Sequence, residues 1–401
     1  MTQLISYMGT KRNLAGRVGD LVRESRPGPL LDVFSGMCAV GHSVGTSRSI
    51  WTNDVQHFAH LVANATFCSS NLAPASESLN DLCACSYEAH RASLRHKFAE
   101  ELAAERLALA LPSCSGYNLV FDHSIERANG LIKGAGYGSY DLFMRRFAGS
   151  YIGYEQAMDF DALRFALDVL LKNGKLCEEG HHWSILGLCV ALSKCSTTTG
   201  HFAQALRPKD NTFTRFKAQR ARSLRFEWLR AMEQLAPVGS RQWRASNRAF
   251  RSDVLGLLPS LTTSTRKPSV IYADPPYTAD QYSRYYHIYE TAVLYDYPSA
   301  SGRGMYRDGR HASTFSQKST VERSFDELIR NAAQLRADLI ISYPANGLLE
   351  DSERRIPDLL RRFYKRAPQI VKIDYSHSTM GASKGSQRQA VTEILYRVNI
   401  K

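Results

Sequence analysis

The stretch VIYADPPY, residues 270–277, decides the fold, because a short apolar run meets a rigid polar turn here. The run VIYA has the β-branched and aromatic character of a buried strand. Two successive prolines then end it, since a proline has no N–H and pushes the residue before it toward extended geometry. The sequence therefore predicts a stiff turn at the carboxyl end of a strand, where open α/β sheets bind their ligands.

The chemistry of this turn suits an exocyclic amino group on a flat base. Asp274 and the carbonyl of Pro275 can each accept one amine hydrogen, which favours a pyramidal nitrogen able to attack an electrophile. Pro276 stiffens the turn, and Tyr277 offers a stacking face worth roughly 1–3 kcal/mol. A base inside a duplex is unreachable and must flip out, at a cost of a few kcal/mol. Asp-Pro and Pro-Pro are also common in surface turns, so the four residues alone leave a plain turn open.

A second turn of small residues, DVFSGMCAVG at 32–41, follows another apolar run and would let backbone approach a ligand closely. It is not GxGxxG, which disfavours a dinucleotide and an NAD-dependent oxidoreductase. Asp54 lies about 20 residues later, where an acid commonly binds both ribose hydroxyls. The pattern predicts a nucleoside cofactor without a pyrophosphate, with an ordinary strand-to-helix turn as the alternative.

Apolar runs that alternate with helical patterns predict a doubly wound α/β sheet. The predicted strands lie at 29–34, 49–54, 270–275, 338–344, 369–375 and 391–400, and the last two suggest a hairpin. The predicted helices of the flanks lie at 55–65, 325–335 and 356–364. Between Leu72 and about Arg244 the strand signal fades. Helical stretches at 88–110 and 156–172 surround a Gly/Tyr-rich loop at 130–154, so a mostly helical insertion is expected.

Composition and charge indicate a globular protein with a polyanionic partner. The 401 residues are 44% hydrophobic and carry 51 basic against 38 acidic side chains, a formal charge of +13. The segment 201–251 holds twelve basic and three acidic residues, so most of the excess is local. Aromatic residues interleave with these cations, which suits nucleic acid. A solvated helix face with inward-turned aromatics is the alternative.

Several classes of protein are disfavoured. The longest apolar run, Ile185 to Leu192, is far shorter than the roughly 20 residues of a membrane helix. The first residues lack the apolar run of a signal peptide, and the eight cysteines include no CxxC pair. We therefore expect a cytoplasmic protein without a membrane segment, a disulfide framework or a metal site.

Four motifs in order resemble the D12 class of adenine-N6 DNA methyltransferases, the class that includes Dam: YMGTKR (7–12), DVFSGMCAVG (32–41), TND (52–54) and DPPY (274–277). The resemblance implies S-adenosylmethionine as cofactor. It also implies a Rossmann-like methyltransferase sheet with a C-terminal β-hairpin, formed by residues 1–70 and 245–401. Residues 71–244 are then an inserted helical target-recognition domain for double-stranded DNA.

The resemblance assigns roles by motif. The expected catalytic residues are Asp274, Pro275, Pro276 and Tyr277. The expected cofactor-binding residues are Tyr7, Lys11, Asp32, Phe34, Ser35, Gly36, Asp54, Asp253 and Asp274. Cys38 stands where the family usually has a second glycine, which puts cofactor affinity in question. Ser342 and Tyr343 match the end of the family's next strand.

A tyrosine-rich run, 281–297, follows the catalytic turn. In the family this region closes over the base and the cofactor, so Tyr282, Tyr285 or Tyr286 would line the pocket, with helix packing as the competing explanation. His287 is expected to be structural, because methyl transfer to an amine needs no strong general base.

The expected nucleic-acid contacts are basic residues of the insert and of the late loop 376–390. They are Arg207, Lys209, Arg215, Lys217, Arg220, Arg222, Arg225, Lys384 and Arg388. Neutralising Arg220, Arg222 and Arg225 together is expected to weaken DNA binding and leave cofactor binding intact.

The sequence thus predicts a site-specific adenine-N6 methyltransferase acting on double-stranded DNA. An RNA adenine methyltransferase and a non-catalytic DNA-binding protein that retains the fold stay open. Cytosine-N4 methylation is disfavoured, because its usual turn begins with Ser. A cognate restriction or defence partner is compatible with this class.

Overall fold

A computed structural model describes residue 5 and residues 12–130, 136–378 and 388–400, without the side chains of residues 12–13, 375–378 and 388–391. The strands are β1 (Leu30–Asp32), β2 (Ile50–Asn53), β3 (Arg248–Phe250), β4 (Val270–Ala273), β5 (Ala300–Ser301), β6 (Tyr306–Arg307), β7 (Asp338–Pro344), β8 (Gln369–Ser378) and β9 (Arg388–Val398). Seven of them form one sheet, while β5 and β6 pair separately.

The strand order of the main sheet is β3-β2-β1-β4-β7-β9-β8. The first five strands run parallel, whereas β9 is antiparallel to both β7 and β8. Asp32 at the end of β1 aligns with Thr52 on one neighbour and Tyr272 on the other. Because the chain order reverses between β1 and β4, their carboxyl ends flank a crevice of the kind that binds ligands. The prediction of an α/β fold with a mostly parallel sheet is confirmed.

The sheet is buried on both faces, as parallel sheets are. Leu31, Ile271 and Leu339 lie in a core with helices from the end of the chain, while Leu30 and Val270 lie in a larger core on the opposite face. The helices of the flanking segments are α1 (Arg12–Arg23), α2 (Ala39–Val44), α3 (His57–Phe67), α13 (Val254–Ser260), α14 (His287–Leu294), α15 (Val321–Gln334) and α16 (Ser352–Tyr364).

The middle of the chain is helical. Its helices are α4 (Ser76–Lys97), α5 (Ala99–Ala110), α6 (Ser115–Asn129), α7 (Leu142–Arg146), α8 (Tyr154–Lys172), α9 (Glu178–Cys195), α10 (Phe213–Arg220), α11 (Leu224–Gln234) and α12 (Arg241–Arg244). The stretch at 88–110 is two helices, because Phe98 leaves helical geometry between them. The segment expected as loop at 130–154 contains α7, and β3, which is only three residues long, was not predicted.

These middle helices share a continuous core with the sheet. Helix α9 packs on α3 and α14, and buried residues of all three belong to one hydrophobic cluster with Leu30 and Val270. Phe58 stacks on Tyr289 at 4.5 Å between ring centroids, and Phe202 meets Tyr289 edge-on at 4.7 Å. The inserted helices therefore rest on the same face of the sheet as α3.

Among the described residues, every helix is too short or too polar to span a lipid bilayer.

Candidate active site

The carboxyl ends of β1, β2 and β4 open into one cleft with an empty volume of about 1120 Å³, including solvent at its mouth. The expected catalytic and cofactor-binding residues that the structure describes all line it. They are Asp32, Phe34, Ser35, Gly36, Asp54, Asp253, Asp274, Pro275, Pro276 and Tyr277. Tyr7, Lys11 and Lys384 lie outside the described residues, as does the side chain of Arg388.

The loop after β1 owes its shape to two residues in left-handed geometry. Gly36 has φ 46° and Cys38 has φ 61°, and Cys38 precedes the first residue of α2. A side chain in this region costs roughly 1–2 kcal/mol, which explains why the D12 class usually has glycine here. Cys38 is fully buried, and burial raises the pKa of its thiol well above the usual value. The substitution therefore adds local backbone strain and leaves an uncharged thiol.

Asp54 connects the loops after β1 and β2. One oxygen, Oδ2, accepts a hydrogen bond from the Gly36 N–H at 3.1 Å, and Oδ1 accepts one from the Gln56 N–H at 3.0 Å. Burial raises the pKa of Asp54 to about 6 despite these hydrogen bonds. Each oxygen keeps further acceptor capacity, so the carboxylate is both fixed in place and able to receive ligand hydroxyls.

The pKa of Asp32, a further acid of the cleft, is strongly raised. Asp32 is 2% exposed, and burial raises its pKa to about 8, with further increases from the charges of Asp274 and Asp54. Three carboxyl groups thus crowd one wall of the cleft. Such crowding favours a cationic ligand, because a positive charge stabilises the ionised carboxylates.

The turn 274–277 is held in place by the segments around it. The Leu348 N–H donates to the Tyr277 carbonyl at 2.9 Å. Tyr282 also lines the cleft, where burial raises the pKa of its hydroxyl and a hydrogen bond joins it to Tyr277. Of the three tyrosines expected as candidates for lining the pocket, Tyr282, Tyr285 and Tyr286, only Tyr282 lines this cleft.

Tyr285 and Tyr286 are instead buried in the packing between elements, and Tyr285 lies against His201 at 4.8 Å. His287 is fully buried, and its Nε2 lies 3.0 Å from the Phe202 carbonyl. Burial lowers the pKa of His287 to about 3, so the ring is neutral and structural, as expected. Ser342 and Tyr343 are also buried and do not line the cleft.

The segment 311–316 also lines the cleft. No motif in the sequence predicted this position. The Ser313 N–H donates to Gln281 Oε1 at 2.7 Å, and Gln281 Nε2 donates to the Ser313 carbonyl at 3.3 Å. On the other side, His311 Nε2 lies 3.6 Å from Asp253 Oδ2, and Phe315 meets Phe34 edge-on at 5.4 Å. Its sequence, HASTFS, has only the composition of a loop and carries no signal of this position.

Several basic side chains of the segment 201–251 that were expected to contact nucleic acid are instead bonded within the protein. Arg220 is 5% exposed and donates to the Tyr117 hydroxyl at 2.8 Å and to the Ser150 carbonyl at 2.7 Å. The expectation that Arg220 contacts nucleic acid is wrong, because its guanidinium is used inside the fold. Arg225 is held by Glu88 at 3.0 Å and by Asn80.

The other five expected nucleic-acid contacts of this segment divide into two groups. Arg207 and Arg222 pair with Asp122 and Glu227, and Lys217 donates to the Leu111 carbonyl at 2.8 Å. Lys209 and Arg215 are exposed. The aromatic residues at positions 202, 213, 216 and 228 are buried, whereas Phe226 is 58% exposed.

Comparison with known proteins gives a family and several relatives. Residues 260–341 match the family model of the D12 class N6 adenine-specific DNA methyltransferase. The chain is 25% identical over 264 residues to Modification methylase LlaI of Lactococcus lactis subsp. lactis, covering 65% of this chain and 39% of that protein. It is 22% identical over 359 residues to Type II methyltransferase M.FokI of Planomicrobium okeanokoites, covering 86% and 45%.

A third relative, Modification methylase StsI of Streptococcus sanguinis, is 22% identical over 403 residues, covering 98% of this chain and 52% of that protein. The chain therefore spans about two fifths to one half of the length of these relatives. The resemblance to the D12 class expected from the motifs is confirmed.

Proposed function

We propose, from its likeness to the D12 class of N6 adenine-specific DNA methyltransferases, that this chain methylates the N6 amine of an adenine flipped out of double-stranded DNA. The observation that carries the proposal is one cleft at the β1/β4 crevice. It holds both the turn Asp274–Tyr277 and the predicted cofactor residues Asp54 and Asp32. The cofactor and the N6 amine of the adenine would then lie side by side, as a direct methyl transfer requires.

The cleft fits S-adenosylmethionine, which is a cation. Asp32, Asp54, Asp253 and Asp274 all line it, and Gly36 permits close approach of backbone. Asp54 would bind the ribose hydroxyls, Asp253 would lie beside the cofactor adenine, and the loop 34–36 would lie under the methionine part. When bound, the cofactor supplies the electrophilic methyl group.

The catalytic turn would prepare the amine for attack. Asp274 and the Pro275 carbonyl would accept its two hydrogens and favour a pyramidal nitrogen. Tyr277 would stack on the base, with Tyr282 holding the tyrosine through its hydroxyl. The proton released after alkylation would pass to Asp274 or to water, since the alkylated nitrogen is acidic. Positioning would supply much of the rate.

The helical insert, 71–244, would act as the target-recognition domain and read a specific site, and the exposed Lys209 and Arg215 would be among its DNA contacts. Residues 1–70 and 245–401, with the terminal pair β8 and β9 as the hairpin, would form the catalytic domain. The names of the relatives favour a role in DNA modification beside a restriction enzyme.

The decisive experiment compares Asp274→Asn with Asp358→Asn, a matched change at a side chain 53% exposed on α16. We expect the first variant to lose at least a hundredfold in methyl transfer to duplex DNA while it still binds S-adenosylmethionine, and the second to keep both. Sequencing of modified bases in DNA from expressing cells identifies the base and the site. The proposal fails if the unaltered chain binds cofactor but methylates no duplex of mixed sequence.

Two alternatives have distinct outcomes in the same experiments. Preferential methylation of structured RNA over duplex DNA in competition would identify an RNA adenine methyltransferase. A cellular effect unchanged by Asp274→Asn would identify a non-catalytic binding protein. The intact turn and Asp54 in one cleft favour the enzyme.

A further inference from the structure

We infer that Arg284, Tyr306 and Arg310, here called the arginine rim, form a phosphate-binding site for the DNA strand that enters the cleft. This inference rests on the proposed function and deepens it, because it names the surface that holds the backbone beside the target base. It assigns this contact to residues outside the basic segment 201–251.

The position of the arginine rim is fixed by its neighbours in the chain. Ser283 and His311 both line the cleft, and the Ser283 hydroxyl donates to the His311 carbonyl at 2.8 Å. Arg284 directly follows the first of them and Arg310 directly precedes the second. The hydrogen bond therefore joins two segments of the chain at the cleft, and Arg284 and Arg310 lie next to its lining residues.

The two guanidinium groups are ordered around one ring. The central carbon of Arg284 lies 5.7 Å from the centroid of Tyr306, and that of Arg310 lies 5.1 Å from it. The Tyr306 hydroxyl donates to the Ala203 carbonyl at 2.5 Å, which anchors the ring on the first residues of the basic segment. Stacking restricts both long side chains before any ligand arrives, so less entropy is lost when phosphate binds.

The positive charge of the rim is only partly neutralised. Asp280 lies 3.7 Å from Arg284 and is shared with the Tyr285 hydroxyl, while the Arg284 side chain stays 42% exposed. The Nε of Arg284 is buried without a hydrogen-bond partner. The neighbouring Arg307, by contrast, is paired with Asp296 at 2.7 Å.

The lowered pKa of Arg310 is consistent with a rim of like charges. Burial lowers this pKa, and so do the positive charges of Arg284 and Arg307, while Tyr306 and Asp308 raise it. A bound phosphate would relieve the mutual repulsion, and its oxygens match the fork of N–H donors that guanidinium presents. Because phosphates carry no sequence information, the rim would position the strand without selecting the site.

The test measures duplex DNA affinity across a range of salt concentrations for Arg284→Gln/Arg310→Gln. The matched control is Arg323→Gln/Arg354→Gln, which removes the same charge from side chains 84% and 68% exposed on α15 and α16. We expect the rim variant to bind DNA at least about tenfold more weakly at low salt. The slope of log affinity against log salt should fall by about 1.8 for two lost phosphate contacts. S-adenosylmethionine affinity should not change.

A second variant keeps the test independent of folding. Arg284→Lys/Arg310→Lys retains both charges, so it should recover most of the salt slope while losing part of the affinity, because lysine lacks the planar fork. The inference is overturned if the rim variant keeps the unaltered salt slope, or if the control loses as much. Methyl transfer by the unaltered chain is measured in parallel, so that a failure of the rim alone is distinguished from a failure of the proposed function.

Discussion

Asp32 has a pKa that its residue type alone does not predict. An exposed aspartate is ionised at neutral pH, but this one is buried at the end of β1 with Asp274 and Asp54 as neighbours, and its pKa is raised to about 8. At pH 7 the folded protein therefore holds a proton on Asp32 that the unfolded chain has released. Binding of a cationic cofactor would favour the ionised form and release that proton.

This raised pKa gives a pH prediction with a definite sign. Between about pH 4 and pH 8 the folded state binds more protons at Asp32 than the unfolded state, so the free energy of unfolding should fall as pH rises through this window. Asp32→Asn removes this titration, so its stability should fall less steeply, by up to about 1.4 kcal/mol per pH unit. Urea unfolding of both proteins from pH 5 to 8 measures the difference, and parallel curves would show that Asp32 is ionised in the fold.

At the scale of elements, the basic helix α10 shows why charge alone is a poor guide to an interface. Its Arg220 donates to the Tyr117 hydroxyl, which in turn donates to the buried Glu105 at 2.6 Å. This chain joins α10 to α5 and α6 inside the insert. The expected effect of neutralising Arg220 with Arg222 and Arg225 is accordingly revised, because such a variant would disturb the insert itself.

The matched pair Arg220→Met and Arg215→Met tests this role. Loss of Arg220 removes the positive charge beside the buried Glu105 and the buried hydrogen bonds to the Tyr117 hydroxyl and the Ser150 carbonyl, so we expect a loss of roughly 3 kcal/mol in the free energy of unfolding. Arg215 lies on the same helix but is exposed, so its replacement should change stability by less than about 0.5 kcal/mol. Equal effects in chemical denaturation would contradict the structural role of Arg220.

At the scale of the whole molecule, the insert and the sheet are joined by packing as well as by chain connectivity. Helix α9 contributes the fully buried Trp183, Leu186 and Leu188 to the cluster that also contains Leu30 and Val270 of the sheet. The contacts of α9 with α3 and α14 lie where the two parts meet. An insert packed in this way has little freedom to move independently of the cleft.

We therefore expect the insert and the sheet to unfold as one unit. Amide hydrogens of α9 and of β4 should exchange with solvent through the same opening, with equal free energies and equal dependence on denaturant. Hydrogen exchange of the intact chain, followed by mass spectrometry, makes this comparison directly. A much lower opening free energy for α9 would mean that the insert unfolds while the sheet persists.

The sequence by itself determined the strands that carry the site and the residues at their ends. VIYADPPY places a carboxylate and an aromatic ring after a buried strand through local backbone constraints, and hydrophobic patterning identified β1, β2 and β7 in the same way. These features depend on neighbours in the chain, so a motif or a periodicity reveals them.

Contacts between groups from separate segments of the chain depend on the tertiary fold. It brought His311 to Asp253 and Arg310 to the edge beside Arg284, and it buried Arg220 of α10 against Tyr117 and Ser150. It also raised the pKa of Asp32. The burial of a side chain and its distance from other charges depend on how separate elements pack. The local residue pattern does not predict that packing.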